Sequence, residues 1–214
     1  MTRIRAVIFD VDGVLTTIDS IWRYIHVHLG TWEKAKKYAE MYKRGEITYK
    51  EWAELDVSLW RGTPQKKIEE IVATIPLRGG AHDLVRELRR KGVKTGAISA
   101  GLDVITDRVA SELGLDAAIS NRLVYKDSKV TGEVEVLVGY GDKGRIFLEL
   151  CDQLGVKPEE AAAVGDSEVD LHMFEEAGLP IAFNPKKPSV SRKALIVIKA
   201  STLKPLTRVL HYLT

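Results

Sequence analysis

Two aspartates, Asp10 and Asp12, stand two residues apart where the apolar run Ile4–Phe9 gives way to a polar turn at Gly13. Further along come Ser99-Ala100-Gly101, then Lys143 in Asp142-Lys143-Gly144, then Gly165-Asp166-Ser167-Glu168-Val169-Asp170. Carboxylates in such number are costly to crowd together unless a cation neutralises them. A donor set of hard oxygens, with no His or Cys among it, favours Mg²⁺ over Zn²⁺. Lys143 falls at the start of a helical stretch, where the helix dipole disfavours a cation. A phosphate at that position would reverse the penalty, because helix N-termini bind anions through free N–H groups. Ser99 and the backbone of Ala100 and Gly101 offer a hydroxyl and amides to the same anion. Together these groups suit phosphoryl transfer. Asp10 would attack phosphorus, Asp12 would protonate the leaving oxygen and then activate water, and Mg²⁺ with Lys143 would spread the phosphoryl charge.

This chemistry requires the four clusters to meet on one rim. Short runs rich in apolar residues at Ile4–Phe9, Val93–Ser99, Ala161–Val164, Leu179–Phe183 and Ala194–Ile198 read as strands buried on both faces. Amphipathic stretches lie between them: Ala81, Leu84, Val85 and Leu88 at helical spacing before Gly92, and Ile146, Phe147, Leu150, Cys151 and Leu154 before Gly155. Strands alternating with helices predict an α/β fold, a doubly wound and mainly parallel sheet. In such sheets ligands bind at the carboxyl ends of the strands, where three of the clusters fall, while Asp142-Lys143-Gly144 lies before the helix at Arg145 and is expected on the same rim. Two stretches break the rhythm. Ser20 to about Pro76 has helical periodicity and no strand, which predicts an inserted helical cap. Arg122–Val138, with a turn at Lys126-Asp127-Ser128, predicts a small β-hairpin. The expected organisation is a core of residues 1–18 and 77–214 with a cap of residues 19–76.

The segments Val7-Ile8-Phe9-Asp10-Val11-Asp12-Gly13-Val14-Leu15-Thr16, Ile98-Ser99-Ala100-Gly101, Lys143 and Gly165–Asp170 resemble, in order, the four motifs of the haloacid dehalogenase superfamily of phosphatases. Nearly the whole chain is most similar to the phosphoserine phosphatases of that superfamily, above all Gly79 through Gly155. The resemblance implies a Rossmann-like core, Asp10 as nucleophile and Asp12 as acid/base. It also implies a Mg²⁺ site made of Asp10, the Asp12 carbonyl and Asp166, with Asp170 supporting that site or Lys143. Three positions depart from the family pattern. Asp56 stands where the family has an arginine that grips the substrate carboxylate, Asp19 where it has a glutamate near the substrate amine, and Val169 where it has an asparagine. Asp19 and Asp56 are therefore the candidates for substrate selection.

Other features restrict the function. Thirty-two Lys and Arg against 30 Asp and Glu, a net charge of +2, argue against a nucleic-acid binder relying on bulk positive charge. The first apolar stretch is too short for a leader or a membrane span. The single cysteine, Cys151, rules out an intrachain disulfide and suits the cytoplasm. Gly139–Gly144 matches G-x-G-x-x-G, but the run before it alternates like a half-exposed strand, so these glycines read as the turn that delivers Lys143 rather than a dinucleotide site. All four tryptophans, and Tyr24, Tyr38, Tyr42 and Tyr49, lie in the cap segment. A segment that small needs large side chains for any core, and a substrate wall or a dimer contact are the alternatives. His26 and His28 read as surface or packing residues. The expectation is a Mg²⁺-dependent phosphatase for a small phosphorylated metabolite, free of nucleic acid and membrane, with a homodimer plausible by symmetry. A phosphotransferase using an acceptor alcohol and a non-catalytic phospholigand-binding module remain as alternatives.

Overall fold

The computed structural model describes residues 3–214. In chain order the elements are β1 (Ala6–Phe9), α1 (Ile21–His28), α2 (Trp32–Lys43), α3 (Tyr49–Ser58), α4 (Gln65–Ala73), α5 (Ala81–Arg90), β2 (Lys94–Leu102), α6 (Asp103–Leu113), β3 (Ala117–Lys126), β4 (Lys129–Glu135), α7 (Lys143–Leu154), β5 (Ala161–Gly165), α8 (Leu171–Glu176), β6 (Leu179–Phe183), α9 (Pro188–Lys193), β7 (Ile196–Ile198) and α10 (Lys204–Leu213). The strands form one seven-stranded sheet in the order β4-β3-β2-β1-β5-β6-β7, parallel throughout except for the β3–β4 pair. This is the doubly wound sheet the alternating pattern predicts.

Strand alternation builds two cores. Val7 and Phe9 of β1 point into one, with Leu84 and Leu88 of α5, Val109 of α6 and Leu206 of α10. Ala6 and Ile8 point into the other, with Phe147 and Leu150 of α7 and Phe174 of α8. β1 is thus apolar at every position because both its faces are covered, and its carboxyl end delivers Asp10 to the middle of the sheet edge.

Strand limits differ from the sequence expectation at informative places. β2 runs on to Leu102 rather than stopping at Ser99, with an irregular register against β3 between Ile98 and Leu102. The predicted hairpin starts earlier, at Ala117. The first half of β3 pairs parallel with β2 and its second half antiparallel with β4. Half-buried residues at Ala117–Ile119 hide that first half from a periodicity argument. The hairpin turn lies at Asp127 and Ser128, both at positive φ (50° and 56°), the backbone a two-residue turn of this hand requires.

The four helices α1–α4 occupy the stretch between the first strand and α5. The chain leaves and returns beside itself, with Thr16 bridging Leu77. Ile21, Ile25, Val57, Trp60 and Ile68 pack there in continuity with the first core. A complete capping box starts α3: Thr48 Oγ1 accepts from Glu51 N (3.2 Å) while Thr48 N donates to Glu51 Oε2 (2.7 Å). Thr48→Ala is expected to lower stability by about 1 kcal/mol, read as a reduced urea midpoint at constant m. No helix among the described residues is long and apolar enough to cross a membrane.

Candidate active site

The strand-end clusters converge on one cavity of about 240 Å³, between the carboxyl edge of the sheet and the helices α1–α3. Lys143, the first residue of α7, reaches Asp10 Oδ1 and Asp170 Oδ1, each at 2.6 Å, and all three side chains are buried. Burial works against the ammonium charge, but the two carboxylates outweigh it and hold Lys143 charged well above the usual lysine range. Asp170 is saturated, because its Oδ2 accepts from Asp166 N (2.9 Å), Ser167 N (2.9 Å) and Ser167 Oγ (3.0 Å). Gly165 must lack a side chain, since a Cβ there would lie 2.4 Å from Asp170 Cβ.

Asp10 and Asp12 diverge in role through their partners. Burial pushes the Asp10 carboxyl up against the pull of Lys143. Burial, with Asp10 next, pushes Asp12 up to about 7. Asp12 Oδ2 accepts from the backbone N–H of Ile21 (2.7 Å), the first residue of α1. The loop between them is held from outside by Arg78, which donates to the carbonyls of Gly13 (2.8 Å), Val14 (2.9 Å) and Thr16 (3.1 Å). Gly13 has φ 85°, and a Cβ on it would sit 2.0 Å from Asp166 Oδ2, so only glycine lets the loop pass over that carboxylate.

Ser99 is buried, and its Oγ accepts from Gly101 N at 2.9 Å. That leaves the hydroxyl proton of Ser99 to donate elsewhere. The same peptide directs its carbonyl, that of Ala100, the other way. It accepts from Tyr49 Oη (2.6 Å), Trp22 Nε1 (3.1 Å) and Asn121 Nδ2 (3.1 Å), tying α1, α3 and β3 to the end of β2. Asn121 also accepts from Leu137 N and Val138 N, both at 2.8 Å, which fixes the segment leading to Lys143.

A cation fits this donor set. Oxygens of Asp10, Asp166 and Asp170 lie within 4.8 Å of one another. Among the described residues, the buried Asp12 Oδ1 and Asp166 Oδ1 have no hydrogen-bond partner. Burial pushes the Asp166 carboxyl up, with Lys186 pulling it down. Oxygen-only ligands, with Asp166 Oδ1 left unsatisfied among them, suit a hard divalent ion.

Lys186 is the site residue that sequence reasoning missed. Its Nζ lies 2.9 Å from Asp166 Oδ2. It follows β6, and the strand-end rule that nominated the other clusters reaches it when applied to Phe183-Asn184-Pro185-Lys186. Asn184, at φ 47°, locks that turn by exchanging hydrogen bonds with Ala200.

The structure brings together Asp10, Asp12, Ser99, Ala100, Lys143 and Asp166 on the cavity wall, with Asp170 behind Lys143. Asp19 lies at the rim with its side chain 79% exposed. Asp56 departs from the expectation of a substrate-facing residue. It is 2% exposed and pairs with His26 Nε2 at 3.2 Å inside the helical layer. Trp60 Nε1, a donor only, points at His26 Nδ1 (3.0 Å), which assigns the imidazole proton to Nε2, the nitrogen nearer Asp56. His26 is therefore a buried partner for a carboxylate that no core cation neutralises, and burial pushes Asp56 up.

With this geometry in place, likeness to known proteins is decisive. Residues 4–178 match the haloacid dehalogenase-like hydrolase family. The chain belongs to that family. This hydrolase is 36% identical over 208 residues to the phosphoserine phosphatase of Archaeoglobus fulgidus, covering 94% of this chain and 60% of that protein. It is 33% identical to the phosphoserine phosphatase of Methanocaldococcus jannaschii, covering 95% and 96% of the two chains. Its fold superposes on the structure of a phospho-aspartyl intermediate analogue of phosphoserine phosphatase with a TM-score of 0.84, at 32% identity and over the whole of both chains. It is an enzyme of the phosphatase kind.

Proposed function

We propose that this hydrolase cleaves a small phosphomonoester through a phosphate bonded to Asp10, with Mg²⁺ as cofactor. The observation that carries the reading is Lys143, buried between Asp10 and Asp170 at 2.6 Å from each, beside two unsatisfied carboxylate oxygens. In this reading the Asp10 carboxylate attacks phosphorus and the ester oxygen leaves with the Asp12 proton. A carboxyl raised to about 7 still holds that proton near neutrality. Asp12 then takes a proton from the water that attacks the aspartyl-phosphate, releasing inorganic phosphate and restoring Asp10. Lys143 orients Asp10 and faces the phosphoryl charge, while the Ser99 hydroxyl and the Ala100 N–H bind phosphoryl oxygens. Asp10, the Asp12 carbonyl and Asp166, supported by Asp170, would hold the Mg²⁺ ion, which when bound supplies electrostatic stabilisation to the phosphoryl oxygens.

The helices within residues 19–76 act in this reading as a cap on a core of 1–18 and 77–214, and Asp19 meets the substrate at the rim. The one cysteine, buried in α7, fits a cytoplasmic enzyme. Phosphate release from a panel of phosphomonoesters tests the reading. Removal of divalent ions with EDTA is expected to reduce turnover on the order of 10²-fold or more, and added Mg²⁺ to restore it. Turnover indifferent to EDTA would exclude the cation from the mechanism.

A further inference from the structure

Within the catalytic reading above, we infer that the cavity selects a phosphomonoester whose leaving alcohol carries a ring and no anionic group. Charge carries the first half of the inference. The cavity is lined by four carboxylates, Asp10, Asp12, Asp19 and Asp166, against two ammonium groups among the described residues, Lys143 and Lys186. Neither ammonium is free: Lys143 is bound to Asp10 and Asp170, and Lys186 to Asp166. With Asp12 holding the proton for the leaving oxygen and Asp170 behind Lys143 counted in its place, a divalent cation balances the excess acid, and the phosphate dianion uses up that balance. A carboxylate on the leaving group then meets no counter-charge, and its desolvation goes uncompensated. Asp56 on α3 is itself an acid, turned inward onto His26, so this helix brings no cation to the wall.

The wall opposite the carboxylates supplies the second half. Trp52 is its centre, with ring centroids of Trp22, Tyr49 and Tyr42 at 5.2, 5.3 and 5.7 Å, the last nearly parallel at 21°. Trp22 and Tyr49 are held by their polar tips on the Ala100 carbonyl, beside Ser99, so their ring positions are fixed relative to the phosphoryl subsite. Trp22 belongs to the buried core and Trp52 packs against it, but core building does not account for Tyr42 and Tyr49. The helical layer is filled by Trp60, which is fully buried, whereas Tyr42, Tyr49 and Trp52 remain partly exposed and line the cavity. Trp52 also keeps a buried indole N–H without a partner among the described residues. Fixed aromatic faces gain contact from a flat apolar surface, whether an arene or the C–H face of a sugar.

The test uses four esters of primary alcohols: benzyl phosphate, a hexose 6-phosphate, L-phosphoserine and phosphoglycolate. With Mg²⁺ present, kcat/KM for at least one ring ester is expected to exceed that for both carboxylates by about tenfold or more. Which ring ester leads distinguishes an arene from a sugar. Tyr42→Leu should shrink that preference through KM, and Tyr42→Arg should raise kcat/KM for phosphoglycolate, because it places a cation on the wall. Tryptophan fluorescence of Asp10→Asn, titrated with the same esters, reads binding without turnover. Equal or tighter binding of L-phosphoserine or phosphoglycolate overturns the inference, whatever the turnover. A binding preference for ring esters with no hydrolysis of any ester by the wild type would retain the subsite and overturn the phosphatase reading instead.

Discussion

Replacing Asp10 by Asn is expected to reduce kcat/KM for every ester hydrolysed by on the order of 10⁴-fold or more, with the fold intact. The amide matches the carboxylate in shape and keeps an oxygen for Lys143, which now lies 2.6 Å away. It loses the anionic lone pair that must bond to phosphorus. Stability should not fall, because Asp10 is one of several buried acids and burial already disfavours its charge. The measurement pairs phosphate release with thermal unfolding of the same preparation. Activity within tenfold of wild type in a folded variant would assign the nucleophile elsewhere.

The second large effect falls on stability. Asp170→Ala is expected to cost about 3–5 kcal/mol, because removing one partner of a buried ion pair leaves the other uncompensated. One side chain here receives four donors: Lys143 on Oδ1, and the Asp166 amide, the Ser167 amide and the Ser167 hydroxyl on Oδ2. Truncation strands those donors in a place closed to water. Asp170→Asn should fall between alanine and wild type, since its NH₂ must face either Lys143 or the two backbone amides, all of them donors. Urea midpoints at constant m rank the three proteins. A loss below about 1 kcal/mol for Asp170→Ala would match a surface residue and remove Asp170 from its place as the anchor of Lys143.

The positions of these residues were legible in sequence because parallel-sheet physics links two patterns. A strand covered on both faces is apolar throughout, and its carboxyl end must turn polar. Reading the strand ends thus found Asp10, Ser99 and Asp166 without any contact information, and Lys143 followed from a cation at a helix start. Lys186 obeys the same rule three residues past the end of β6, behind Asn184 and Pro185, which carry no charge to mark the strand end. β3 was half missed because its two halves pair in opposite senses, so no single period describes it. Asp56 shows a different limit. Alignment with a family places a residue along the chain, but whether its side chain faces a cavity or the interior depends on partners distant in sequence. Here His26, which without a metal-ligand spacing reads as a packing or surface residue, decides the matter by lying 3.2 Å from the Asp56 carboxylate inside the helical layer. The cap aromatics divide for a similar reason. Their shared spacing on helices does not separate Trp60, closed into the core, from Tyr42 and Trp52, which border the cavity.

The placement of β1 has a consequence for how the protein is made. It precedes the other strands of this sheet in the chain, yet it lies between β2 and β5, whose pairing begins at Lys94 and Ala161. During translation its apolar residues have no partner strand until β2 has emerged, and their second flank stays open until β5 has. Asp166 and Asp170 follow β5 at once, so the last wall of the acidic rim emerges just after the strand that closes the sheet around Asp10. Nascent chains ending before residue 161 therefore expose an unpaired edge of β1 and have no Asp166. Such chains are the ones most open to aggregation and to chaperone capture, whereas a chain carrying β5 and the turn after it covers both flanks of β1 and brings Asp166 and Asp170 to Asp10, with Lys186 following after β6.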